Sequence, residues 1–404
     1  MPEESPSLSA VSDHDGRSLT IIRLLYFFFL GTMALISGFL TIYYREIGLT
    51  GAQIGAVSAI PPVVALISGP IWGMVNDRFG RIRLLLLLIA TGMSLAMLGL
   101  LNTRAYLLIM LMIGLYEFFN RPVETLLGGA VLRILGSRSE YYARQRMWGF
   151  VGFLVVSALS GFILEATGVR ALFYGVIGLL VIFALISQWL PPQPATVMNT
   201  PIHTGLGILM RKRGWVVFTV ATIVLGIPTS GMLIYLNPYV IELGGSIGMV
   251  GLMGSLGGLS GLPIMFYGPR LIQRFGARKL FAAAFFIYSL RFLLYGLMPN
   301  PVWALTISLM HGLSAVMYFI SGVDLANRLA PEDLKATGQG LFHGAYALAG
   351  IIGAWAGGIF IDAFGGARLF QAYAGLALLG WLVLVVGYHW ADGQTQQEQG
   401  TATA

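Results

Sequence analysis

Glu117, Arg121 and Glu124 stand at i, i+4 and i+7 in "YEFFNRPVETL", so one face of a single helix would carry an acid–base–acid stripe. Further on, Arg291 in "YSLRFLLYG" and His311 in "SLMHGLSAVMY" are set into apolar runs with no acid at their depth. Such groups bind anions, exchange hydrogen bonds with solutes, or pass protons. At the middle of a bilayer each costs roughly 2.5–3.5 kcal/mol on insertion scales, which makes each a functional candidate by default. The stripe can neutralise most of its own charge, so a structural role stands beside substrate or proton handling. Arg291 and His311 have no such partner in their own runs. Their natural complement is an anion or a hydrogen-bonding solute. Metal ligation is not expected, because no cluster of ligand-type residues is visible.

The elements that must position these residues follow from composition. Of 404 residues, 57% are hydrophobic and 10% charged; mean hydropathy is +0.80. About 20 consecutive apolar residues span a bilayer as a helix, and backbone hydrogen bonding in hydrocarbon leaves helices as the solution for runs this long and continuous. The fold class expected is an all-α membrane protein of 12 transmembrane helices in two pseudo-symmetric six-helix bundles. The runs are 21–44, 52–75, 83–101, 105–127, 147–168, 171–190, 214–240, 246–269, 279–298, 302–326, 337–361 and 367–390. This divides the chain into a disordered tail (1–20), an N-terminal bundle (21–190), a linker (191–213), a C-terminal bundle (214–390) and a second tail (391–404). Arg291 then lies roughly 18 Å into the ninth run, at about 1.5 Å per residue. His311 reaches similar depth in the antiparallel tenth.

Charge fixes a direction. Of the 24 Lys and Arg residues, 18 fall on the side holding both tails, four on the other side, and Arg121 and Arg291 lie inside runs. Basic loops stay cytoplasmic, so both termini are expected in the cytoplasm and the protein in the inner (plasma) membrane. The net charge of +7 is explained by this asymmetry, and no nucleic-acid partner is expected. With no cysteine, neither a disulfide framework nor a thiolate site exists. No metal-ligand His cluster, no Ser/His/Asp set at one depth and no phosphate loop stands in the chain, so no enzyme activity and no cofactor are expected.

The halves repeat. "NDRFGRIR" (76–83) lies over "IQRFGARK" (272–279) at a shift of 196, which also sets Gly55 on Gly251. At 197, "GFILEATGVRALF" (161–173) covers "GIFIDAFGGARLF" (358–370), with Glu165 on Asp362. A duplicated membrane bundle points to a rocking transporter with its substrate between the halves. Between the second and third runs, Gly73 permits close helix approach, Asp77 can face the positive end of a neighbouring helix, and Arg78 and Arg81 flank Gly80 at the water boundary. Tyr26, Asn237, Tyr295, His343 and Tyr346 are further polar groups able to face a cavity, although His343 reads more simply as a packing residue.

Gly73-x-x-x-Asp77-Arg78-x-Gly80-Arg81 resembles the loop 2–3 motif of the major facilitator superfamily, and the likeness extends over nearly the whole chain. In that family the cluster helps to latch the two halves. "REIGLTGAQIG" (45–55) and "ARQRMWGFVGF" (143–153) resemble a narrower branch, the lactose permease and 3-phenylpropionate permease types. The resemblance implies that Arg146 and Glu124 contact a sugar and that Arg291 and His311 belong to proton coupling. Ser314 stands where the lactose type carries a proton-binding glutamate, and Tyr346 where it has a lysine. Those departures point towards a small organic anion, with coupling through Glu117 or Glu124. The expected function is secondary active transport of an organic anion or sugar by alternating access, proton-coupled and monomeric. A multidrug-type exporter or an uncoupled facilitator is the alternative.

Overall fold

A computed structural model describes residues 13–79, 81–136, 141–191, 209 and 212–402. The described residues are almost wholly helical. In chain order the helices are α1 (Asp13–Glu46), α2 (Gly51–Ser58), α3 (Ile60–Phe79), α4 (Ile82–Asn102), α5 (Tyr106–Leu135), α6 (Tyr142–Thr167) and α7 (Ala171–Ser187). They continue with α8 (Arg213–Glu242), α9 (Ile247–Phe275), α10 (Ala277–Leu297), α11 (Trp303–Ser308), α12 (Met317–Leu329) and α13 (Lys335–Ala402). Ten described helices are long and apolar enough to cross a membrane, one of them the 53-residue stretch Thr337–His389, and Ala171–Ser187 is a shorter apolar helix. Large side chains such as Leu66, Leu107 and Phe266 are more than 70% exposed, as lipid-facing residues are.

Local chemistry sets the breaks. Thr50 and Gln53 form a capping box that starts α2, and Ser246 caps α9. Pro61 and Pro62 follow the interruption between α2 and α3 and lack the amides that would continue one helix. Within α13, Gly365 has φ 80° and ψ 170°, a conformation open to glycine; there one apolar stretch turns into the next. Helix α1 begins at Asp13, so the expected disordered tail is overrun by helix from that residue onward, where a long apolar helix extends back into polar sequence. The surroundings of Gly73, the side chains of Asp77 and Arg78, and the whole of Gly80 lie outside what the structure describes, as does most of the expected linker. Arg81 is exposed at the start of α4.

The chain forms two compact units. The first comprises Met1–Ile36, Val63–Ser157 and Arg170–Met198. Its helices cross on glycines: a Cβ on Gly92 would stand 2.5 Å from the Phe119 ring, and one on Gly152 would stand 2.2 Å from the Phe27 carbonyl oxygen. The second comprises Ser37–Pro62, Ala158–Val169 and Asn199–Ala404. There α8 and α13 meet so closely that a Cβ on Gly353 would lie 2.2 Å from the Ile227 carbonyl. Its core is aromatic, with Phe218 stacked on Phe342 at 5.5 Å and Phe281 on Tyr318 at 5.1 Å.

Candidate functional site

In the first unit the candidate residues are organised by one proline. Pro122 sits inside α5 and has no N–H, so the carbonyl of Phe118, four residues earlier, loses its helical donor. Two side chains of α3 replace it: the Ser68 hydroxyl donates to that carbonyl at 2.7 Å and the Trp72 indole N–H at 3.0 Å. The Trp72 ring also lies 5.9 Å from the Phe118 ring and 5.7 Å from that of Phe119. The carbonyl that Pro122 frees is thus satisfied from outside the helix, and the stripe residues flank the proline.

Glu117 is buried and pairs with half-exposed Arg121, while the Asn120 amide donates to its Oε2 at 3.1 Å. Glu124, one turn further, takes a different partner. Arg146 of α6 reaches it at 3.0 Å, with both side chains about half exposed. Beside Arg146, Gln145 accepts from Arg23 Nε at 2.7 Å. The stripe therefore splits. Its first acid is neutralised within its own helix, and its second forms an accessible ion pair between two helices. Tyr26 is buried on α1.

In the second unit Arg291 of α10 is 3% exposed. Its Nη1 lies 3.3 Å from His311 Nδ1 and donates to Ser314 Oγ at 3.1 Å; its Nη2 donates to Tyr295 OH at 3.3 Å. Tyr295 OH lies 3.4 Å from Ser308 Oγ. Every recorded polar partner is formally neutral unless His311 is protonated, and no carboxylate pairs with Arg291 among the described residues. A π-helical turn, Gly312–Val316, follows His311. The Gly312 amide is held by Ser260 Oγ of α9 at 3.0 Å, and a Cβ on Gly312 would stand 2.0 Å from the Ser260 carbonyl. A π turn shifts side-chain phase along a helix and is frequent at functional sites. Here it lies where His311 and Ser314 both reach Arg291.

The remaining candidates separate. Tyr295 belongs to the Arg291 cluster. Asn237 donates to the Gly38 carbonyl at 2.9 Å and so ties α8 to α1 within the second unit. Tyr346 and His343 are lodged among aromatic rings: Tyr346 lies 5.7 Å from Phe319, and His343 stacks at 6.4 Å on the same ring. Ser68 and Trp72 were missed by reading the sequence. The signal available was Pro122, which leaves one identifiable carbonyl in need of donors.

Residues 19–372 match the model of the MFS_1 like family. The chain belongs to that family. The maltose permease of Geobacillus stearothermophilus is 26% identical over 91% of this chain and 94% of its own length. The multidrug resistance protein MdtG of Serratia proteamaculans is 30% identical over 53% of this chain and 54% of its own. The crystal structure of the nucleoside transporter NupG superposes with a TM-score of 0.82 at 17% identity, covering 92% of this chain and 99% of that one. As an MFS_1-like protein the chain is a multi-pass membrane transporter of the all-helical major facilitator type, and not an enzyme.

Proposed function

We propose that this protein is a secondary transporter that carries a small polar organic solute, a sugar or an organic anion, across the cytoplasmic membrane by alternating access coupled to protons. Counting the helix interrupted at Gly365 as two crossings and Ala171–Ser187 as one gives twelve, arranged as halves 21–190 and 214–390 about the linker 191–213. Both termini lie in the cytoplasm, and one chain is the working unit.

The observation that carries the reading is Arg291: a guanidinium buried within an apolar helix, with His311, Ser314 and Tyr295 as its partners and no carboxylate pairing with it among the described residues. An uncompensated buried cation is costly, and a transporter has a use for one where a solute or a proton completes the site. The accessible Glu124–Arg146 pair supplies an acid and a base able to hold hydroxyls, and supports a sugar of the kind named for the maltose permease relative. That no carboxylate pairs with Arg291 among the described residues favours the anion.

Purified protein in proteoliposomes, challenged with radiolabelled maltose and with small carboxylates under an inwardly acidifying pH gradient, tests this directly. Accumulation above equilibrium, abolished by Arg291→Ala at normal protein yield, is the expected result. Equilibration without accumulation would make the chain a facilitator. Gradient-driven movement of cationic dyes instead would make it an exporter.

A further inference from the structure

The sequence repeat sets Glu165 on Asp362 and the helix caps Thr50 on Ser246, and nothing in the transport reading uses either pair. In the second unit they meet. Asp362 accepts from the backbone amides of Gly51 at 2.7 Å and Ala52 at 2.8 Å, the first two residues of α2. Glu165 accepts from the amide of Gly248 at 2.8 Å, the second residue of α9. In each case a carboxylate near the end of one half's helix satisfies the free N-terminal amides of a helix from the other half. Such amides lack intrahelical partners and carry the positive end of the helix dipole.

Glycines repeat at the same two crossings. A Cβ on Gly358 would stand 2.1 Å from the Gly51 carbonyl, and one on its repeat mate Gly161 would stand 2.9 Å from the Gly251 Cα. The carboxylates reach the amides because the backbones touch. We propose that Glu165 and Asp362 are paired gate-positioning residues, each latching a helix start of the opposite half, and that the two latches are unequal, Glu165 releasing first.

The inequality follows from what surrounds each acid. Asp362 takes two amides, and Arg45 reaches it at 3.5 Å while also reaching Glu242 at 3.8 Å. At the same crossing the Tyr235 hydroxyl donates to the Gly51 carbonyl at 3.4 Å. Position 241, the repeat mate of Arg45, is isoleucine, so the Glu165 latch has one recorded amide and no equivalent arginine. A cleft of about 390 Å³, lined by Phe162, Glu165, Ser246 and Met249 among others, opens beside it. Water there competes for the carboxylate and weakens its hydrogen bond.

The natural absence of cysteine allows spin labels to be placed without background. Labels at Thr167 and Leu243 span the Glu165 crossing; labels at Glu46 and Phe364 span the Asp362 crossing. Short, narrow distances are expected at both in the otherwise unaltered chain. Glu165→Gln should raise the separated population at its own crossing a few-fold, and Asp362→Asn should raise it at its own by about tenfold, as loss of a charged hydrogen bond predicts. Ala52→Pro provides an independent variant: it removes one amide donor but leaves Asp362 in place, and proline is tolerated in a first helical turn. It should move the Glu46–Phe364 distance in the same direction as Asp362→Asn. Long distances in the unaltered chain would overturn the proposal, as would distributions that neither neutralisation nor Ala52→Pro changes. Equal responses at the two crossings would overturn the ordering. The measurement needs no solute, so it stands or falls apart from the proposed substrate.

Discussion

The Trp72 indole donates at 3.0 Å to the Phe118 carbonyl, the one carbonyl in α5 that Pro122 leaves without its helical donor. Trp72 of α3 thus supplies a donor to the turn of α5 that carries Glu117 and Arg121. Trp72→Phe keeps the ring packing and removes the donor. With Ser68 still donating at 2.7 Å, the expected loss of stability is about 1 kcal/mol. Adding Ser68→Ala leaves a buried carbonyl unpaired and should bring the total loss to about 2–4 kcal/mol. Detergent-titrated unfolding of the single and double variants measures both.

Glu117 and Glu124 share a helix face but not a role, and charge removal separates them. The Glu124–Arg146 pair is half exposed on both sides, so Glu124→Gln should cost less than about 1 kcal/mol in stability. If the pair handles solute, the same change lowers uptake at least tenfold. Glu117→Gln acts in the opposite sense: Glu117 is buried against Arg121 and Asn120, so stability falls more than uptake does. Parallel uptake and unfolding assays on the two variants read the contrast, and matching profiles would refute it.

Legibility in the sequence followed the reach of each interaction. The stripe spacing, the antiparallel pairing that brings Arg291 to His311, and the equivalence of Glu165 with Asp362 are all periodicities, and periodicity survives in one dimension. The π turn after His311 was not legible, because "HGLSAV" has the composition of ordinary helix and the Ser260 hydroxyl that takes the Gly312 amide comes from another helix. Splitting the stripe between Arg121 and Arg146 likewise needed the approach of α6 to α5. Tyr346 reads as a cavity group from type alone, yet it lies against Phe319, as does His343, whose simpler reading is a packing residue.

Ser314 offers a way to tell an anionic solute from a neutral one. Its hydroxyl accepts from Arg291 at 3.1 Å, so Ser314→Asp would install a carboxylate against a guanidinium that has none recorded. Uptake of a carboxylate substrate should then fall at least tenfold, because the new acid occupies the cation that would receive it. Uptake of a neutral sugar should change much less. Competition between labelled sugar and unlabelled carboxylate in the variant and the parent measures the difference.

Sidedness is testable with single cysteines, since the chain contains none. Gln273 is exposed near the end of α9 and Asn300 is exposed between α10 and α11, with α10 between them. On the proposed topology, Asn300→Cys reacts with an impermeant maleimide in intact cells. Gln273→Cys reacts only after the membrane is opened. The reverse pattern would invert the protein and place both termini outside.

Two glycines of the first unit should respond differently to alanine. At Gly152 the added Cβ would lie 2.2 Å from the Phe27 carbonyl oxygen and 2.7 Å from the Phe27 Cα. Those are backbone atoms, so α1 and α6 must separate, and overpacking of that kind costs about 1–3 kcal/mol. At Gly178, inside α7, a Cβ meets nothing within 4 Å, and the substitution gains helix propensity of up to about 1 kcal/mol. Gly152→Ala should therefore lower the unfolding midpoint and Gly178→Ala should leave it unchanged or raise it. Equal midpoints for the two variants would mean that the α1–α6 crossing is looser than its backbone distances require.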